Sequence, residues 1–302
     1  MIRCHRIDVI ALIETHILGE KAQKICDRLR LGASDRVEAQ GFKGGIWLVW
    51  NPDEIDVRVR HKNTHFISAA VSKGDFQFQL IVTYAPPTVH RRRKFWAALS
   101  NEIGCCRGPV LVGGDFNCIV GLEERQGGSG VLHPDSSKFR ELISNNGLID
   151  MGFAGQSFTW SRGLTPSTLI SKRLDRFLMN LEVCIKWPNA SVRHLPKFGS
   201  DHTPLLLSLE PKCRYDKSRR PFRFEIAWLT HPDFLEFIHQ NWKRDCPANI
   251  ALAALKDKLL DWNRKCFGNI HEKKTLLLAE LDKTQMEIKK GPTSELIARE
   301  EQ

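Results

Sequence analysis

Val110-Leu111-Val112-Gly113-Gly114-Asp115-Phe116-Asn117 is the stretch on which the fold turns. Three apolar residues in a row read as a short strand, and it runs into the glycine pair Gly113-Gly114. In extended chain, residues i and i+2 share a face. Asp115 and Asn117 therefore project together from the strand end, with Phe116 turned into the core. A carboxylate beside a carboxamide can polarise a water and orient a phosphate. The same Gly, Asp and Asn content also suits a plain turn.

Working outward, strands and helices alternate. Phe76, Phe78, Leu80, Val82 and Tyr84 alternate with other residues, as do Ile55, Val57 and Val59 against Asp56, Arg58 and Arg60; each reads as a strand with one face in a core. Gly44 to Trp50 is a buried strand ended by Asn51-Pro52, and Pro204 to Leu209 is another. Phe95, Trp96, Leu99 and Ile103 have helical spacing after a basic start. Phe139, Leu142 and Ile143 mark a second helix that stops near Asn146-Gly147. Strand pairs interleaved with helices describe packed sheets flanked by helices.

Near residue 211 the character changes. From Lys212 to Arg223 there are six basic residues and one acidic one, and beyond lie only helical signals. Leu252, Leu255, Leu259, Trp262 and Cys266 are spaced 3, 4, 3 and 4, and Ile270, Leu277, Leu281 and Ile288 continue a seam after Gly268. Each run is short, so a helical hairpin packed on itself or its neighbour is expected rather than a free coiled coil. The expected domains are 1–211 and 212–302.

Composition narrows the function classes. The 302 residues leave room for one large domain and a smaller appendage. No apolar run reaches the roughly 18 residues of a membrane span, and the first residues lack the unbroken apolar core of a signal peptide. Nine cysteines are scattered without CxxC or zinc spacing, which points to a reduced, nuclear or cytoplasmic setting. A net charge of +10 draws the chain toward polyanions.

Three further places carry chemistry. Glu14 ends the apolar run Val9-Ile10-Ala11-Leu12-Ile13, where a carboxylate can hold a hard cation or simply be solvated. Ser200-Asp201-His202 offers a histidine that supplies a proton or a charge near neutral pH, or a structural loop. Asp175 stands in the apolar run Arg173 to Leu178 and needs a partner there. His202 is one candidate and Arg173 or Arg176 the other.

Glu14, Tyr84-Ala85-Pro86, Gly114-Asp115-Phe116-Asn117, Arg173-Leu174-Asp175 and Ser200-Asp201-His202, in this order, resemble the endonuclease/exonuclease/phosphatase superfamily, which includes deoxyribonuclease I and the apurinic/apyrimidinic endonucleases. The resemblance spans about residues 7 to 210. Ile13-Glu14-Thr15-His16, Gly44-Gly45-Ile46, Ser157-Phe158-Thr159-Trp160 and Arg173-Leu174-Asp175-Arg176 resemble plant non-LTR retrotransposon polyproteins more narrowly. Phe224-Glu225-Ile226-Ala227-Trp228-Leu229 and Trp262-Asn263 with Phe267-Gly268-Asn269-Ile270 resemble the segment that leads from endonuclease to reverse transcriptase.

The resemblance implies an α/β fold, a four-layer αββα sandwich of the deoxyribonuclease I kind, followed by a helical appendage. It implies Mg²⁺- or Mn²⁺-dependent hydrolysis of phosphodiesters, with DNA as partner, no membrane, and strand nicking as the retrotransposon activity. A phosphoinositide or small-molecule phosphatase, or a non-catalytic remnant, are the other readings. By the same resemblance Glu14 and Asp201 are the metal-side acids. Asp115 activates or positions the attacking water, and Asn117 and Tyr84 hold the phosphate. His202, oriented by Asp175, stabilises phosphoryl charge. Arg91, Arg92 and Arg93 would grip the nucleic-acid backbone. The chain departs from the pattern twice. No asparagine precedes Asn51, so the family's strand before Glu14, with its asparagine, is missing, and an open edge and a gap in the core are expected. Pro87 stands where nuclease relatives often place asparagine.

Overall fold

The expected alternation of strands and helices is realised in a computed structural model that describes residues 5–41, 44–128, 131–163, 165–210, 226–242, 248–266 and 270–301. In chain order the first elements are β1 (Val9–Ile13), α1 (Gly19–Leu29), β2 (Ala33–Val37), β3 (Ile46–Trp50), β4 (Asp56–Asn63), β5 (Phe66–Lys73), β6 (Phe76–Tyr84), α2 (Val89–Cys105) and β7 (Val110–Asp115). A 3-10 turn at Leu122–Glu124 leads into β8 (Arg125–Gln126), α3 (Asp135–Asn145), β9 (Leu148–Asp150), β10 (Trp160–Arg162), β11 (Ile170–Lys172) and β12 (Asp175–Asn180). Then come α4 (Leu181–Lys186), β13 (Ser191–His194) and β14 (Leu205–Ser208).

The central sheet has six strands in the order β4-β5-β6-β7-β12-β9. Its pairs are antiparallel except β6 with β7, which are parallel. A parallel pair needs a crossover, and α2 provides it. The helical spacing of Phe95, Trp96, Leu99 and Ile103 puts them on one buried stripe of α2, which packs with Phe139 and Leu142 of α3 over Val110, Val112 and Leu178. Phe116 is buried there as its alternation requires, and its ring stacks on Phe139, which in turn stacks on Trp96.

The opposite face of the six-stranded sheet, through Leu80, Val82 and Leu111, meets a second layer at Ile46 and Leu48. That layer is covered on its outer side by α1, whose Ala22 and Cys26 pack on Trp47 and Val49. Helix, sheet, sheet and helix thus make the four expected layers. The second layer is in two pieces, β1-β3-β2 and β13-β14, and no strand among the described residues joins β1 to β14. No residue of either strand is fully buried.

Asp282 to Gln302 belong to the same compact unit as residues 1–211. The end of α7 (Ile270–Lys290) and all of α8 (Ser294–Glu301) thus lie in the first unit. The second unit, Lys212–Leu281, contains α5 (Phe234–Asn241) and α6 (Ala248–Cys266). Its core gathers Trp228, Phe234, Leu255, Leu259 and Trp262, and the Trp228 indole donates to Asn263 Oδ1 at 2.7 Å. Of the expected seams, Leu255, Leu259, Trp262 and Ile288 are buried and Leu252 and Leu277 exposed; Phe234 and Phe237 of α5 pack against Trp262. The basic run from Lys212 to Arg223, Phe224-Glu225 and Phe267-Gly268-Asn269 lie outside the described residues.

Beneath the sheet's end, Arg173 and Arg176 form a closed ion network. Arg176 bonds Glu124 Oε2 at 2.7 Å and Asp150 Oδ2 at 2.9 Å, and Arg173 bonds Glu124 Oε1 at 2.9 Å and Asp150 Oδ1 at 2.7 Å. Burial acts to raise both carboxylates, but the Arg176 bond on Glu124 and the Arg173 bond on Asp150 overcome it and hold both below their ordinary values. Their stabilisation is therefore complete above the unfolded values of about 4.3 and 3.9, and fades as pH falls through the lower folded values. Glu124→Ala leaves a buried guanidinium short of charge and should cost about 3–5 kcal/mol in urea unfolding at neutral pH. The gap between variant and wild type should shrink as the pH is lowered below about 4; a gap independent of pH would contradict this account.

Candidate active site

Three strand ends meet in register. Tyr84 on β6 lies opposite Asp115 on β7, and Asp115 opposite Asp175 on β12. Residues directly opposite in adjacent strands point to the same face, so a phenol and two carboxylates stand side by side at one edge of the sandwich. This alignment needs β6 and β7 to approach closely. Gly114 has φ +134°, and a Cβ there would lie 2.1 Å from the Thr83 carbonyl oxygen. Only glycine fits.

Each member is then held by named partners. Asn117 takes a left-handed backbone, φ 47°, which folds it back on Asp115. Its amide N–H donates to Asp115 Oδ1 and its carboxamide to Asp115 Oδ2, both at 2.7 Å, and the carboxamide also reaches the Ala85 carbonyl at 2.9 Å. Across the gap, Glu14 at the end of β1 is also left-handed, φ 53°, and accepts a hydrogen bond from the Tyr84 hydroxyl. That bond ties the two sheets together at the site. His202, just ahead of β14, meets Asp175 Oδ2 through Nδ1 at 2.9 Å. Asp175 thus takes the histidine as its partner; Arg173 and Arg176 are committed to Glu124 and Asp150. Asp201 accepts from the Trp160 indole at 2.9 Å.

Two contributors were not assigned roles on sequence grounds. The buried Thr159 hydroxyl accepts the backbone amides of Leu174 and Asp175, both at 2.9 Å, and so fixes the start of β12. Trp160 orients Asp201. Both lie in Ser157-Phe158-Thr159-Trp160, whose shared pattern was the one available signal.

The arginine run divides. Arg91 and Arg93 are exposed, and the charge of Arg91 is felt at His65, whose ring contacts the Tyr84 carbonyl. Arg92 is a correction. It is buried, bonded to Asp135 and to the carbonyls of Pro86 and Pro87, because the inward stripe of α2 includes it and a buried cation needs partners. Its role is to anchor the chain that follows Tyr84.

The electrostatics follow from crowding. Burial, then the Asp175 charge, push the Asp115 carboxyl well above its ordinary value, against the pull of His202 and the Asn117 amide. Burial alone would lower His202, but the Asp175 hydrogen bond and charge, with Asp115 and Asp201, raise it to about 9. Desolvation and Glu14 raise the Tyr84 phenol, so it stays a donor. Among the described residues no three His, Cys, Asp or Glu side chains form a metal-holding group. The donors present are hard oxygens, and Tyr84 engages one carboxylate oxygen, Oε1, of Glu14. That set fits Mg²⁺ or Mn²⁺ held by one or two carboxylates, with water and phosphate completing the shell, rather than a closed protein cage.

A family model described as "Endonuclease/Exonuclease/phosphatase family" matches residues 2–202. The chain belongs to this family. The fold is shared with solved structures at low identity. The endonuclease domain of TRAS1, a telomere-specific non-LTR retrotransposon, is 13% identical with a TM-score of 0.51, covering 70% of this chain and 90% of that one. An AP endonuclease from Archaeoglobus fulgidus is 13% identical with a TM-score of 0.51, covering 68% and 90%. A 3'-5' exonuclease from Neisseria meningitidis is 17% identical with a TM-score of 0.50, covering 67% and 88%. No curated protein matches the chain. No helix among the described residues is long and apolar enough to cross a membrane.

Asp175→Asn removes the charge that keeps His202 protonated. The His202 titration, followed by NMR, should fall from about 9 toward an ordinary histidine value. The sign for stability is set by a raised folded value: the pair stabilises fully below about pH 6.5 and loses its effect as pH rises through about 9. An unmoved His202 titration in the variant would refute the pairing.

Proposed function

We propose that this chain is a Mg²⁺-dependent DNA endonuclease that nicks one strand, the activity of a non-LTR retrotransposon. The observation that carries the reading is the level row Tyr84, Asp115 and Asp175 with His202 clamped to Asp175. Family membership supports hydrolysis of phosphoesters. The net charge of +10 and exposed Arg91 and Arg93 support a polyanionic substrate. The fold shared with the TRAS1 endonuclease domain supports the retrotransposon setting.

In this mechanism Glu14, with Asp201 as second acid, would hold the metal, which would supply positive charge to the phosphoryl oxygens. Asp115 takes a proton from the attacking water, with a proton affinity raised by burial and by the Asp175 charge. Asn117 fixes Asp115 through its backbone amide and its carboxamide. His202, a cation at neutral pH, donates to a phosphoryl oxygen as charge develops in the transition state. Tyr84 holds Glu14 in place and presents its hydroxyl at the same edge.

Supercoiled plasmid incubated with the purified chain should convert to open circles only when Mg²⁺ or Mn²⁺ is present. Asp115→Ala should slow nicking by about 10²–10⁴-fold, and DNA binding should weaken steeply with salt. Release of phosphate from soluble phosphoesters without nicking would replace this reading with a phosphatase. Binding without either reaction would leave a non-catalytic remnant.

A further inference from the structure

The loop that delivers His202 is held from an unexpected direction. Residues Leu195 to Ser200 connect β13 to the Asp201-His202 pair. At its site end the loop is pinned by its own sheet neighbours: the Ser161 amide donates to the Asp201 carbonyl at 3.2 Å, and the Thr203 amide to the Thr159 carbonyl at 2.7 Å. At its other end the partner is Gln285, on the last turns of α7, 88 residues further along the chain.

Gln285 treats Lys197 as a neighbouring strand would. Its Oε1 accepts the Lys197 amide at 3.2 Å and its Nε2 donates to the Lys197 carbonyl at 3.3 Å. Oε1 also accepts from Gln156 Nε2 at 2.8 Å, and Nε2 also donates to Glu300 Oε1 of α8 at 3.0 Å. Two donors and two acceptor positions are all a carboxamide has, and all are used. Gln156 in turn donates to the Leu195 carbonyl at 3.3 Å. Both glutamines are buried. Nearby, Lys197 Nζ reaches Ser161 Oγ at 2.7 Å and Glu300 at 3.2 Å. A fully satisfied buried polar network selects one geometry sharply, since any partial arrangement leaves an unpaired group.

Resting on the nuclease reading above, we propose that Gln285 is a positioning residue for the reaction. It clamps the loop at Lys197 so that His202 stays against Asp175. The returning helical segment Asp282–Glu301 is then a working part of the active site, and whatever moves that segment sets the reaction rate.

The test uses the full chain carrying Gln285→Leu, which keeps the volume and removes the polar atoms. Hydrogen–deuterium exchange read by mass spectrometry should show peptides covering residues 195–203 exchanging about tenfold faster, with β6 and β7 unchanged. The kcat for plasmid nicking should fall about tenfold while KM for DNA stays within about twofold. If Gln285→Leu does not fold, Gln285→Asn, one methylene too short to reach Lys197, carries the same expectation. Unchanged exchange in the loop, exchange that rises uniformly over the whole unit, or faster loop exchange with an unchanged kcat would each overturn the proposal. A wild-type chain that does not nick plasmid sinks the nuclease reading instead, and the exchange data still decide whether Gln285 is a clamp.

Discussion

The close parallel approach of β6 and β7 at Thr83 and Gly114 is the constraint on which the rest depends. A side chain at Gly114 would force the strands apart or shift their register. A one-residue slip would carry Tyr84 and Asp115 to opposite faces. With the register held, β12 adds Asp175 to the row, α2 must cross over on the far face, and Phe116 falls into the aromatic stack with Phe139 and Trp96. Packing on one side of the sheet and chemistry at its edge thus share one cause.

Charge is sorted with similar economy. The protein buries several carboxylates close together, and each needs a cation or a proton. Glu124 and Asp150 are matched by Arg173 and Arg176, and Asp135 by Arg92. Asp175 receives His202. Asp115 is held by the neutral donors of Asn117, and burial with the Asp175 charge raises its proton affinity. The same need for a partner turns Arg92, which stands in a basic run, inward to Asp135.

Much of this was legible in the residues. Alternation in Phe76–Tyr84, helical spacing in Phe95–Ile103 and the inward turn of Phe116 follow from periods of 2 and 3.6, which are local properties of the backbone. The order Glu14, Asp115, Asp175, His202 carried the family, and with it the four layers. Arg92 was misread because a run of like charges does not reveal which member falls on the buried stripe. Spacing also does not say what fills the groove that a seam faces. Beside Trp262 it is Phe234 and Phe237 of α5.

The sequence by itself determined the strand and helix periods, the apolar stripes, and which residue types stand at the strand ends, since these depend on neighbours a few positions apart. Only the tertiary structure decided that Tyr84, Asp115 and Asp175 lie level, that Glu14 bonds Tyr84 across the sandwich, and that Gln285 returns to grip Lys197. Those contacts join residues tens of positions apart. Their geometry is set by inter-strand register and by the satisfaction of buried polar groups, neither of which any local window contains.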